Sequence, residues 1–257
     1  MTALSPESIL ITGATGAIGS ALAEAYAAPG VTLHLQGRNV DQLATVAERC
    51  RTLGAQVTTR ILDVTDTPAL FAWIGEVDAA SPVDLVFANA GMNTNIGPQG
   101  EGETWQATDT LIDINIRATM ALVHAILPGM RRRRRGQIAL ISSLAAYFGL
   151  PLTPSYSASK AAVKAYGEAL RGWLEPEGIR VNVVMPGYVA SQMCRDMPGP
   201  KPFLWPPQRA ARTIRRGLNA NRPRISFPFP LNLGCWLLAV IHPSISQRIL
   251  ALLDYRA

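Results

Sequence analysis

Three glycines, Gly13, Gly16 and Gly19, lie between a short apolar run, Ser8-Ile-Leu-Ile-Thr12, and a helical stretch, Ala17 to Ala28. A turn of this kind lets backbone come close to another group, because glycine has no side chain to obstruct it. The helix that follows presents unpaired amides and the positive end of its dipole, and both suit a pyrophosphate. Spaced glycines alone say little. Placed between a strand and a helix, they point to a dinucleotide-binding crossover.

The alternation continues to about residue 190. Further strands are expected at Thr32–Gln36, Gln56–Leu62, Asp84–Ala88, Gln137–Ile141 and Arg180–Met185. Helices are expected at Val40–Arg51, Pro68–Val77, Thr104–Leu127 with Thr104 as its cap, and Ser155–Leu174. The strands read as continuous apolar runs, the pattern of a sheet buried on both faces. Regular strand–helix alternation predicts an α/β fold: a Rossmann-like, doubly wound parallel sheet of about seven strands in three α/β/α layers, with right-handed crossovers. One domain over residues 1–257 is expected, with a core at about 5–190 and a lid and apolar tail at about 191–257. Eight prolines between Pro198 and Pro230, mixed with large apolar residues, suggest a substrate cover rather than a linker. It holds one helix, Gln208–Asn219, and an edge strand, Arg224–Phe227.

Composition excludes several classes. The net charge is +6, and the run Arg131 to Arg135 supplies five of those cations. The simpler reading is a solvated loop after a helix ending at Leu127 to Met130; the sharper one is a phosphate or anionic-lipid contact. No aromatic residues interleave with the arginines, so nucleic acid is not an expected partner. Three scattered cysteines and three scattered histidines argue against a disulfide framework and a metal site. Met1 to Glu7 lacks a basic leader, and no window reaches the ~20 apolar residues of a membrane span, so a cytoplasmic chain is expected, with peripheral membrane association as the alternative. Trp73 and Trp105 read as packing residues and His124 as structural.

Selection of NAD calls for an acid at the end of the second strand, bonding the ribose 2′-hydroxyl. Here that strand ends Gln36-Gly-Arg38-Asn39. Arg38 could instead hold a 2′-phosphate through a charge-assisted fork, so NADP(H) is favoured, with NAD(H) admitted. The most specific feature is Ser142-Ser143 at a strand end followed by Tyr156-Ser-Ala-Ser-Lys160. Tyr156 and Lys160 are one helical turn apart and share a face. A phenol with a pKa of about 10 is a poor proton shuttle at neutral pH, and a nearby ammonium would lower that value. A positioned serine could hold a carbonyl oxygen while the phenol gives up its proton.

Over residues 5 to 230 the chain resembles the short-chain dehydrogenase/reductase family, in its short single-domain form. The resemblance rests on the glycine turn, Asp63 in Leu-Asp-Val, Asn89-Ala-Gly91, Asn115 in Asp-Ile-Asn-Ile, Ser143, Tyr156, Lys160 and Pro186-Gly-Tyr-Val-Ala-Ser191. Ser143 precedes Tyr156 by thirteen residues, the family's usual spacing, which selects it over Ser142. The resemblance implies catalysis by Asn115, Ser143, Tyr156 and Lys160. Tyr156 would be the acid/base and Ser143 would orient the carbonyl. Lys160 would lower the tyrosine pKa and bind the nicotinamide ribose, and Asn115 would hold a relay water. It implies cofactor contacts from Gly13, Thr15, Gly16, Ala17, Ile18, Gly19, Arg38, Asp63, Val64, Asn89, Ala90, Gly91, Tyr156, Lys160, Pro186, Gly187, Val189 and Ser191. Asp63 would meet adenine and Ser191 the carboxamide. It also implies strand order 3-2-1-4-5-6-7 and a homo-oligomer paired through the helices that carry Asn115 and Tyr156.

One departure stands out. The glycine spacing Thr12-Gly-x-x-Gly-x-x-Gly19 is that of the longer sugar-nucleotide branch, so an epimerase or dehydratase is an alternative reading. A nucleotide-sensing or membrane-associated scaffold without turnover is another. The favoured function is hydride exchange between NADP(H) and an apolar or acyl-chain carbonyl or secondary alcohol. Met193, Met197, Phe203, Leu204 and Trp205 fall where a lid belongs. Phe227, Phe229 and the apolar run Trp236–Ile241 follow. Beyond Pro243, with Ser244 as cap, Ile245, Ile249, Leu252 and Leu253 share one helical face. Packing or a subunit contact is the plain expectation for this tail; a lipophilic pocket resting on a membrane is the sharper one.

Overall fold

The computed structural model describes residues 5–97 and 99–255. Met1 to Leu4, part of the segment read above as lacking a leader, lie outside the described residues.

The chain runs β1 (Ser8–Ile11), α1 (Ala17–Tyr26), β2 (Thr32–Gly37), α2 (Val40–Thr52), β3 (Gln56–Ile61), α3 (Thr67–Ala80), β4 (Leu85–Ala88) and α4 (Trp105–Ile112). A π-helical turn, Asp113–Arg117, joins α4 to α5 (Ala118–Arg133). Then follow β5 (Gly136–Ile141), α6 (Pro154–Leu174), β6 (Ile179–Pro186), α7 (Gln192–Asp196), α8 (Pro207–Asn219), β7 (Arg224–Phe227), α9 (Leu231–Val240) and α10 (Pro243–Leu252). The seven strands form one parallel sheet in the order β3-β2-β1-β4-β5-β6-β7.

Strand alternation distributes the core to both faces. Ile9 and Ile11 of β1 pack with Leu22 and Tyr26 of α1, Leu43 and Val46 of α2, and Ile214 and Leu218 of α8. Leu10, between them, points the other way, into Leu70 and Trp73 of α3, Leu122 and Ile126 of α5, and Val163 and Leu170 of α6. Trp73 is thus core, as expected, whereas Trp105 is 75% exposed at the start of α4. His124 is a surface residue stacked on Phe71. The expectation of apolar, doubly buried strands fails at β3. Its Gln-Val-Thr-Thr-Arg-Ile sequence forms a largely exposed edge, where only one neighbour has to be satisfied.

The arginine run is not a solvated loop. α5 continues through Arg133 and ends on Arg134 in the left-handed conformation. Arg131 forks onto Glu177 at 2.7 Å and lies over the Trp173 ring, and Arg133 forks onto Asp78 at 2.8–2.9 Å. Arg134 donates to the Pro176 carbonyl, and Arg135 pairs with Asp84. These partners stand before β4 and β6. The arginines therefore clamp the N-terminal edge of the sheet, opposite the edge where the strands end. Burial alone would raise the Asp78 carboxyl, but the Arg133 fork and the Val83 amide outweigh it and hold the carboxyl below its usual range.

By length and composition the helix Trp105–Arg133 could cross a membrane, which corrects the expectation that no stretch is apolar enough. Its apolar residues have another use: Leu122, Val123, Ile126, Leu127 and Met130 are core against α3 and the sheet.

Candidate active site

In a parallel sheet all strands end on one edge, and loops leaving that edge can converge on a ligand. The loops after β1, β2, β4, β5 and β6 here border one cleft of about 1650 Å³, larger than the ~300–1,000 Å³ usual for a single small ligand. Every residue expected to touch a cofactor lines it, as do Ser143, Tyr156 and Lys160.

The glycine turn is held from three sides. Gly13 is left-handed, with φ of 64°, a conformation open to glycine. Its amide donates to Gln36 Oε1 at 2.9 Å, and the Ala14 amide donates to the Gln36 carbonyl at 2.8 Å. Asn89 Nδ2 donates to the carbonyls of Thr12 and Gly13 at 2.9 and 3.0 Å. Asn89 is therefore a brace for the turn. A Cβ on Gly19 would lie 2.3 Å from the Gly13 oxygen. The unusual glycine spacing thus corresponds to a real close approach. Gly16 caps α1 without a side-chain bond, leaving the first-turn amides directed at the cleft, a cradle suited to a diphosphate.

Beyond it, Arg38 makes one long contact, 3.5 Å, with Asp63, and both side chains are exposed. Asp63 accepts from the amide and hydroxyl of Thr65. These bonds, the Thr65 amide first, and Arg38 keep its carboxyl below the usual range against some burial. An exposed pair of this sort holds Arg38 weakly, so the guanidinium is available to an anion.

At the far end, Ser142 and Ser143 divide their tasks. Ser142 is buried and donates to the Lys160 carbonyl at 2.7 Å, fixing α6 to β5. Ser143 caps the short turn after β5 by accepting from the Ala145 amide at 3.2 Å, and its hydroxyl donates to the Pro186 carbonyl at 3.5 Å. Burial raises the Tyr156 pKa and the Ser143 side chain lowers it. The Lys160 ammonium donates to the Ile141 carbonyl at 3.0 Å and stands 5.7 Å from the centre of the Tyr156 ring. Burial holds Lys160 down to about 8.

Asn115 is the one expected site residue that does not line the cleft. It is fully buried within the π turn, a widening frequent at functional sites. Its Oδ1 accepts from the Met92 amide at 2.8 Å, and its Nδ2 donates to the Met92 carbonyl and to Ser159 Oγ, both at 3.0 Å. A Cβ on Gly91 would fall 3.1 Å from Asn115 Oδ1 and 3.3 Å from Lys160 Nζ, so three separate segments meet here.

Sequence reasoning missed two supports. Gln36 is one. Glu103 is the other: its carboxylate accepts from the Ser155 amide at 3.0 Å, placing negative charge at the N-terminus of the helix that carries Tyr156. Neither carries a local signal, since each partner is distant in sequence.

The lid also differs from expectation. Ser191 caps an additional short helix, α7, through the Cys194 amide. Phe203 and Leu204 face outward, and Trp205 stacks on Phe227 with ring centres 5.2 Å apart. His242, rather than Ser244, caps α10, accepting from the Ser244 amide. Tyr255 holds the tail down. It donates to the Pro200 carbonyl, and its oxygen lies 2.6 Å from that of Tyr188.

The sequence profile described as short chain dehydrogenase matches residues 7–200. An uncharacterized oxidoreductase of Myxococcus xanthus is 34% identical over 90% of this chain and 91% of its own length. Among solved structures, a short-chain dehydrogenase from Sphingobium yanoikuyae, in complex with NADPH, superposes with a TM-score of 0.80 at 24% identity, covering 97% of this chain and 96% of that one. A 3-oxoacyl-[acyl-carrier protein] reductase from Brucella melitensis gives 0.74 at 26% identity, covering 86% and 88%.

Proposed function

The chain belongs to the short-chain dehydrogenase family, and from that premise we propose that it is an NADP(H)-dependent oxidoreductase acting on an apolar or acyl-chain carbonyl or secondary alcohol. The observation that carries the reading is the meeting of Ser143, Tyr156 and Lys160 on the wall of one cleft whose other end is a glycine cradle. A nicotinamide cofactor bound in the cleft supplies the hydride chemistry. The cradle amides and Gly13 to Gly19 hold its phosphates. Asp63 and Val64 flank the adenine side. Ala90, Gly91, Pro186, Gly187, Val189 and Ser191 wall the nicotinamide side.

The chain's own residues handle the proton. In reduction Tyr156 donates its phenolic proton to the substrate oxygen while the Ser143 hydroxyl steadies that oxygen. In oxidation Tyr156 accepts the proton back. Lys160 holds positive charge beside the ring, and Asn115 acts behind it by tying the Met92 loop to α6.

The substrate side supports an apolar molecule. Phe148, Leu150, Met193, Leu238, Ile249 and Leu250 line that lobe. Each methylene buried contributes ~0.8 kcal/mol, so kcat/KM along a series of methyl ketones should rise about fourfold per added methylene until the lobe is filled. Loss of NADPH absorbance measures this. Failure of every carbonyl to consume NADPH would favour a non-catalytic scaffold, and a flat series would sink the apolar-substrate reading.

Arg38 supports the cofactor choice. Arg38→Ala should weaken NADPH by about tenfold or more while NADH changes little, with the gap narrowing at high salt. Equal weakening of both cofactors in a fluorescence titration would remove Arg38 as the discriminator and leave NAD(H) as the better candidate. Pairing of subunits through α4, α5 and α6 is part of the same proposal, and the exposed Trp105 and Trp173 on those helices suit it.

A further inference from the structure

We infer that α9 and α10 seat the mouth of the cleft on an anionic lipid bilayer. Apart from Asn232, whose side chain donates to Ser226, α9 is apolar. Leu231, Gly234, Cys235 and Leu238 face the cleft, and Leu233, Trp236 and Val240 lie on the opposite side. A helix of that composition is ordinarily enclosed by protein, yet none of its residues is buried. On α10, Ser246 and Leu250 are the buried residues, while Ile245, Leu252 and Leu253 are 52%, 84% and 55% exposed. Leu237, Leu252 and Leu253 both line the cleft and face outward, so they form its rim.

Charge favours lipid as the occupant. No Asp, Glu, Lys or Arg occurs between Arg224 and Arg248, so nothing in that span resists entry into an apolar layer. Residues 191–255 hold nine Arg or Lys and two Asp; of these, Arg209, Arg215 and Arg224 are engaged by Trp205, the Ala25 carbonyl and Glu168 away from the rim, and Asp254 lines the cleft. Arg195 and Lys201 border the cleft, and Arg248 is exposed on α10. A surface with Trp and aliphatic residues flanked by cations matches an anionic headgroup boundary. Each helix has ten residues. At 1.5 Å per residue that is about 15 Å, half a bilayer core, so both lie in the interface rather than span it. A protein seated on a rim made of cleft-lining leucines would close the entrance. A fluid lipid surface leaves it open and lets an apolar molecule enter without crossing water. The arginine clamp of α5 stands at the opposite edge of the sheet and takes no part.

The contact can be measured without the catalytic reading. The intact protein should sediment with vesicles of phosphatidylcholine and phosphatidylglycerol, and less with phosphatidylcholine alone or at high salt. Val240→Asp combined with Ile245→Asp should reduce the bound fraction by about tenfold, because each places a charge on an exposed apolar site. Neither residue lines the cleft, so melting temperature and NADPH affinity should match wild type. Wild-type protein left in the supernatant with both vesicle types would overturn the inference. Equal sedimentation of wild type and double variant would also overturn it. Conversion of a wild-type dimer to a monomer by the double variant, seen by sedimentation velocity without vesicles, would assign the face to a second copy instead.

Discussion

Tyr156→Phe is expected to lower kcat for carbonyl reduction by ~10²–10⁴-fold, the range for loss of a positioned general acid. The ring remains, packed with Leu111 and Ala145, so the fold and the cleft wall are preserved. Only the phenolic oxygen is removed, and a neutral hydrogen bond that it makes is worth ~1 kcal/mol in stability. NADPH affinity should therefore stay within about twofold of wild type, a ~0.4 kcal/mol difference. A loss in kcat without a loss in cofactor binding is the signature of a group that acts on the substrate oxygen. Turnover within about tenfold of wild type would show that another group supplies the proton.

The second large effect is expected at Gly19. Its Cβ in Gly19→Ala would meet the Gly13 carbonyl at 2.3 Å, Asn89 Nδ2 at 2.8 Å and Ala14 Cα at 3.0 Å. Two of these are backbone, so no side-chain rotation relieves the contact. The turn must open, and the bonds from Asn89 to the Thr12 and Gly13 carbonyls must lengthen. NADPH affinity should fall by about 100-fold, ~2.7 kcal/mol, and the melting temperature by several degrees. Gly172→Ala is the control. It also lies in a helix, a Cβ there meets nothing within 4 Å, and it should stabilise by ~0.5–1 kcal/mol. A Gly19→Ala protein that binds NADPH as wild type would mean that this turn is not the phosphate cradle.

The helix through Asn115 shows how far local pattern reaches. Apolar spacing from residue 104 onward indicates one helix, and the chain is indeed helical from Trp105 to Arg133. The pattern does not reveal the π turn, because one extra residue per turn hardly alters the sequence of apolar positions. Nor does it locate the helix end. Arginine is compatible with a last helical turn, and Glu177 and Asp78, which receive two of these side chains, belong to other segments. The same holds in the site. Tyr156 and Lys160 can be placed on one face from their spacing, but the bond from Lys160 to Ile141 cannot be read there.

What the sequence by itself determined is therefore what short-range geometry dictates: the alternation of strands and helices, the glycine turn between β1 and α1, and the shared helical face of Tyr156 and Lys160. With family resemblance it also indicated the strand order and Ser143 over Ser142. Tertiary structure alone decided the rest. It turned Asn89, Gln36 and Glu103 into braces and the arginine run into a clamp on the far edge of the sheet. It also left α9 exposed on the side away from the cleft. The physical reason is that periodicity fixes which way a side chain points along its own element, whereas a hydrogen-bond partner or a covered face depends on segments brought together only when the layers pack.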